Sequence, residues 1–119
     1  MVVRNGPLLG PVLSRVIGML AARAQCPIDR LDDALLVADT VAAHGPDFAR
    51  NGALRVNLTA REGVIELTVA ALRPHGAQEM LAAAERPGGG NGLARVADAV
   101  EVRSEGEEES LYIRLGFGA

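Results

Sequence analysis

Leu54-Arg55-Val56-Asn57-Leu58-Thr59, then Ala60-Arg61-Glu62-Gly63, then Ile65-Glu66-Leu67-Thr68-Val69-Ala70, is the stretch that decides the fold class. Apolar and polar residues alternate with a period of two in both outer runs. That pattern builds strands with one face on a core and the other in water. The short polar link between the runs makes them a β-hairpin. The device returns near the C-terminal end, where Val100 and Val102 alternate with Glu101 and Arg103, and Leu111, Ile113 and Leu115 alternate with Tyr112 and Arg114. Ser104-Glu105-Gly106-Glu107-Glu108-Glu109-Ser110 is the solvated turn between them.

Upstream of the first hairpin the period is helical. Leu9, Leu13, Val16, Ile17 and Leu20 recur at three- and four-residue spacing and predict a helix over 11–25, with Pro11 tolerated in its first turn. A second helix is expected from Asp29, with Asp32 and Asp33 in its first turn and Leu31, Leu35, Ala38 and Val41 or Ala42 along one stripe. Gly45 and Pro46 are expected to stop it. Between the hairpins, residues 72–91 read as a lid holding Pro74, Gly76, Pro87 and Gly88-Gly89-Gly90, with a short Ala-rich helix over 77–86. Gly92 to Ala97 reads as a further helix of two turns. This order predicts one domain over 1–119 in the α+β class: a two-layer sandwich with a mixed, mostly antiparallel sheet and its helices on one face.

Composition excludes several functions. Of 119 residues only two are Phe, one is Tyr and none is Trp, too few for the stacking platforms that single-stranded nucleic acid needs. A net charge of −3 argues against duplex binding. All 12 basic residues are Arg, so Schiff-base, Walker-A and lysine general-base chemistry are excluded. The single Cys26 cannot form an internal disulfide, which suits a reducing compartment. The longest apolar stretch, Leu8 to Ala24, is broken by Ser14, Arg15 and Arg23, and so predicts neither a membrane span nor a signal peptide. A cytoplasmic location is the expectation.

Gly88-Gly89-Gly90-Asn91-Gly92-Leu93 opens into the last helix. Glycines admit a close approach of backbone to an anion, and free N–H groups at a helix start favour phosphate. The same run also reads as a plain flexible loop, and with no strand before it, it is not a dinucleotide fingerprint. His44, His75 and Cys26 lack zinc-site spacing. Asp32-Asp33 reads as first-turn helix charge, Glu105 to Glu109 as a solvated hairpin tip, and His44 as a residue at a helix C-terminus, where a cation is favoured. Ser14 and Thr40 read as structural hydroxyls.

Leu31-Asp32-Asp33-Ala34-Leu35-Leu36-Val37 and the run from Gly88 through Leu93-Ala94-Arg95-Val96-Ala97-Asp98-Ala99-Val100-Glu101-Val102, in this element order, resemble the anti-sigma-factor serine kinases of the gyrase, chaperone and histidine-kinase ATPase superfamily. The resemblance covers roughly 11–117. It implies a histidine-kinase-like ATPase fold, a nucleotide loop at Gly88 to Leu93, ATP and magnesium as cofactors, a homodimer, and a sigma factor or its antagonist as partner.

The departures are specific. The family's second helix carries a Glu base and, four residues on, an Asn for magnesium; the ungapped alignment places Thr40 and His44 there, and a shift by one places Asp39 and Ala43. Thr cannot supply general-base catalysis, which is worth roughly 10²–10⁴-fold, and His is a poor ligand for magnesium. The family's Asp-x-Gly-x-Gly box follows the second hairpin strand; here Leu72-Arg73-Pro74-His75-Gly76 has no Asp. Losing that bond to adenine forfeits about 1.5–3 kcal/mol. Gly76 reads either as a remnant of the box or as a turn residue. The resemblance therefore implies a degenerate regulatory domain that holds a protein partner, with ATP binding weak or lost and no catalytic residue retained. An active serine kinase using Asp39 as base is the alternative. A second is a small-ligand domain in which Ala77 to Ala84 closes over an apolar pocket.

Overall fold

The computed structural model describes residues 2–52, 54–84 and 93–117. In chain order it contains β1 (Val2–Arg4), α1 (Leu9–Arg23), α2 (Ile28–His44), β2 (Arg55–Arg61), β3 (Val64–Leu72), α3 (Gly76–Ala84), α4 (Leu93–Val96), β4 (Ala99–Glu105) and β5 (Glu108–Gly116). Two short 3-10 turns, Gly45–Phe48 and Arg50–Gly52, link α2 to β2. The fold is α+β.

Cross-strand register shows why alternation sufficed for the sheet. Its order is β1-β2-β3-β5-β4. Val3, Val56, Val69, Leu111 and Val102 stand opposite one another in a single row across all five strands. Leu58, Leu67, Ile113 and Val100 form the next row. A slip of one residue anywhere would turn a whole row into water, so burial fixes the register. Leu13 and Ile17 of α1 and Val37, Ala38 and Val41 of α2 are wholly buried and complete the core with these rows.

The opposite face of the sheet is polar. Asn57, Thr68, Tyr112 and Glu101 form one row there. Tyr112 donates its phenolic hydrogen to Glu66 Oε2 over 2.5 Å, while the Arg103 guanidinium lies 4.3 Å from the ring centroid and pairs with Glu101 at 3.0 Å. That hydrogen bond, helped by burial, holds the phenol above its ordinary pKa.

Several expectations are corrected. Every described strand pair is antiparallel, so the sheet is not mixed. α1 starts and ends two residues earlier than its periodicity suggested. α2 ends at His44 with Gly45 as its C-cap, as expected, and a 3-10 turn over Gly45–Phe48 follows it directly. The acidic hairpin tip is shorter than Ser104–Ser110, because Glu105 still pairs with Glu108. The strand β1 was not expected, since three residues give no periodicity to read. Gly63 has a structural duty at the first hairpin. At φ 82 its N–H donates to Ala24 O at the end of α1, and its carbonyl accepts from Phe117 N.

Candidate functional site

The resemblance places its nucleotide crevice between α2 and the α3–α4 segment, and the α2 wall comes first. Thr40 is buried, and its Oγ1 donates to Leu36 O at 2.8 Å, one turn back in the same helix. A hydroxyl satisfied in this way is part of the helix and not a free reacting group. Asp39 is exposed and accepts a hydrogen bond from Ser14 Oγ of α1 at 3.4 Å. The two alternatives for a base therefore diverge: one is spent on its own backbone, the other engages the neighbouring helix. His44 is half-buried in the last turn of α2, the position expected of it.

The segment after β3, where the resemblance calls for an adenine-binding carboxylate, is an arginine clamp instead. The register of β3 shifts between Val69 and Leu72, Ala71 adopts φ 63, and Ala71 and Leu72 are both buried. Arg73 then donates its backbone N–H to Phe48 O at 2.9 Å and its guanidinium to Asp47 O at 3.4 Å, and it pairs with Glu79 at 3.1 Å. The same guanidinium lies 5.2 Å from the Phe48 ring centroid. His75 takes φ 64, and Gly76 opens α3 so tightly that a Cβ there would stand 3.0 Å from Phe48 O and 3.2 Å from Arg73 Cγ. Gly76 is thus a packing glycine where the turn meets α3.

At the start of α3, Ala77 N donates to Glu109 Oε1 of β5 at 3.0 Å. The helix N-terminus, which would suit a phosphate, is satisfied by the protein's own carboxylate. Sequence reading missed this contact, because Glu109 reads as hairpin-tip charge and nothing local points it at α3. Within the expected lid Leu72, Ala77 and Met80 are buried in the core, as is Leu93 just beyond it, while Arg73, Pro74, His75, Gln78, Glu79 and Ala82 face water. Arg30, near the start of α2, reaches Val96 O at 3.3 Å and Gly116 O at 3.5 Å, and its Nε lies 3.0 Å from Asp33 Oδ2. It ties α4 and the end of β5 to α2. Asp98 reinforces the same corner by accepting from Gly116 N.

Gly88, Gly89, Gly90, Asn91 and Gly92, the expected phosphate loop, lie outside the described residues; Leu93, the last of that group, is the buried anchor of α4. Among the described residues no group of three or more His, Cys, Asp or Glu side chains could hold a metal ion, and no helix is long and apolar enough to cross a membrane. Cys26 is half-buried beside the core, and burial pushes its thiol up from the ordinary range. The positions that the resemblance assigns to the metal and to adenine do not fit a magnesium–ATP complex: neither Thr40 with His44 nor Asp39 with Ala43 supplies an oxygen pair, and Leu72 to Gly76 holds no carboxylate.

No family model and no curated protein matches the chain.

In this region α2, α3, α4 and β5 are joined by one apolar interior and three polar ties, Arg73–Glu79, Glu109–Ala77 and Arg30–Val96. An arrangement of this kind fixes a shape and presents its outer surfaces.

Proposed function

We propose that the chain is a degenerate relative of the anti-sigma-factor serine kinases that acts by holding a protein partner, a sigma factor or the antagonist of one, without needing ATP. The element order and the two hairpins support the kinship. The observation that carries the loss of nucleotide chemistry is Thr40, buried and hydrogen-bonded to Leu36 O where the family has its base. The arginine clamp at Arg73 supports the same reading at the adenine position. The kinase alternative needs Asp39 as base, and the hydrogen bond from Ser14 draws that carboxylate to α1. Homodimerisation belongs to this proposal by resemblance and would use a face other than the one described below.

Titration of the purified chain with sigma factors and anti-sigma antagonists from its own organism, with and without ATP and magnesium, tests the proposal. The expected result is binding of about micromolar affinity or tighter, unchanged by nucleotide. Binding that appears only with ATP and magnesium would overturn it, as would transfer of phosphate to the bound protein.

A further inference from the structure

The second apolar stripe of α1 faces water. Of the large apolar side chains that stay exposed, Val2, Leu8, Val12 and Met19 are 54%, 65%, 38% and 58% accessible and meet on one side of the molecule. Only Ile28, at the start of α2, is exposed elsewhere among the described residues. Between β1 and α1 lies a cleft of about 380 Å³, and a second of about 370 Å³ continues along the outside of α1 to Met19. Leu8, Val12 and Val16 line both, so they form one trough. Leu8, Val12, Arg15 and Met19 follow one another at intervals of four, three and four residues, the spacing of a seam that receives another helix. The inward stripe, from Leu9 and Leu13 to Leu20, is already spent on the core.

Charge identifies what the trough accepts. Residues 1–28 carry Arg4, Arg15 and Arg23 and no Asp or Glu. Among the described residues none of these three makes an ion pair, which they share with Arg55, Arg95 and Arg114, whereas Arg30, Arg50, Arg61, Arg73 and Arg103 do. Arg4 lines the cleft beside β1, and Arg15 stands in the middle of the seam. A second copy pairing the same face about a two-fold axis would bring arginine to arginine. The clefts of about 380 and 370 Å³ along this face would be left unfilled by a flat lipid surface, whereas an inserted row of side chains fills them. We infer that the trough along α1 and β1 docks an amphipathic helix of a partner protein whose apolar seam is flanked by Asp and Glu.

This inference deepens the partner-holding proposal and rests on it, yet it fails separately. If the chain holds a sigma factor or antagonist while Arg15→Glu leaves that binding unchanged, the docking surface is wrong and the proposed function stands. The direct probe is a pair of labelled helical peptides of about 18 residues, or five turns, with the same leucine seam, one flanked by Glu and the other by Lys. Fluorescence anisotropy should show the acidic peptide binding at least about tenfold tighter than the basic one, with the difference shrinking as salt rises. Arg15→Glu should erase or invert the preference, and Val12→Asp with Met19→Asp should remove binding of both peptides. Each of these residues is exposed, so the variants should keep the fold, and circular dichroism checks that they do. Equal affinity for the two peptides, no binding of either, or binding that survives the double variant would overturn the inference. So would anionic phospholipid vesicles that bind through Val12 and Met19, or a dimer in solution that Val12→Asp dissolves.

Discussion

Replacing Leu93 with alanine is expected to cost about 2–5 kcal/mol of folding stability, the range for emptying a fully packed leucine site. Leu93 is 1% exposed and sits in the core with Met80 and Ala77. α4 spans only Leu93–Val96, too short to hold itself together as an isolated helix, so it depends mainly on this fully buried side chain, on the partly buried Val96 and on the Arg30 tie to Val96 O. Met80→Ala should behave alike. Domains of this size have a total stability of about 5–15 kcal/mol, so either change removes a large share of it. Urea denaturation with the slope held constant measures it. If the segment opened and closed over a ligand, its apolar side chains would contribute little to the resting fold, and a loss below about 0.5 kcal/mol would show it.

Thr40→Glu should be at least as damaging, although it restores the residue type that the family resemblance asks for. Thr40 is 8% exposed and its hydroxyl is satisfied by Leu36 O. A carboxylate there loses water and gains no partner that the structure provides, a penalty on the order of 3 kcal/mol or more. Thr40→Val, which keeps the shape and gives up one helical back-bond, should stay within about 1 kcal/mol of the parent. The contrast between the two variants carries the information. Were Thr40→Glu to melt like the parent, position 40 would face a wet crevice able to accept a charged base, and the account of a closed, packed site would be wrong.

Residues with a local signal made most of the fold legible. Val56, Leu58, Leu67, Val69, Leu111 and Ile113 alternate, and the register confirms that they share one face. Leu13, Val16, Ile17 and Leu20 gave α1 its inward stripe. Elements set by long-range contacts were not legible. β1 exists because Val3 pairs with Val56, more than fifty residues along the chain. The bulge at Ala71 and the clamp at Arg73 depend on Phe48 and Asp47 arriving beside them, and Glu109 caps α3 across 32 residues. At the candidate site, the sequence shows which groups are missing, since Thr40 and Leu72-Arg73-Pro74-His75-Gly76 carry no carboxylate. It does not show that Thr40 turns its hydroxyl to Leu36 or that Asp39 bonds to Ser14. The outward seam of α1 was present in the spacing of Leu8, Val12, Arg15 and Met19, masked by the stronger core stripe one residue away.

Calorimetric titration of the chain with ATP, in the presence of magnesium and again with the metal chelated, tests the central claim most directly. The account predicts no saturable, magnesium-dependent heat at nucleotide concentrations up to about 1 mM, which corresponds to an interaction weaker than about −4 kcal/mol. Saturable binding in the micromolar range that disappears when magnesium is removed would contradict it.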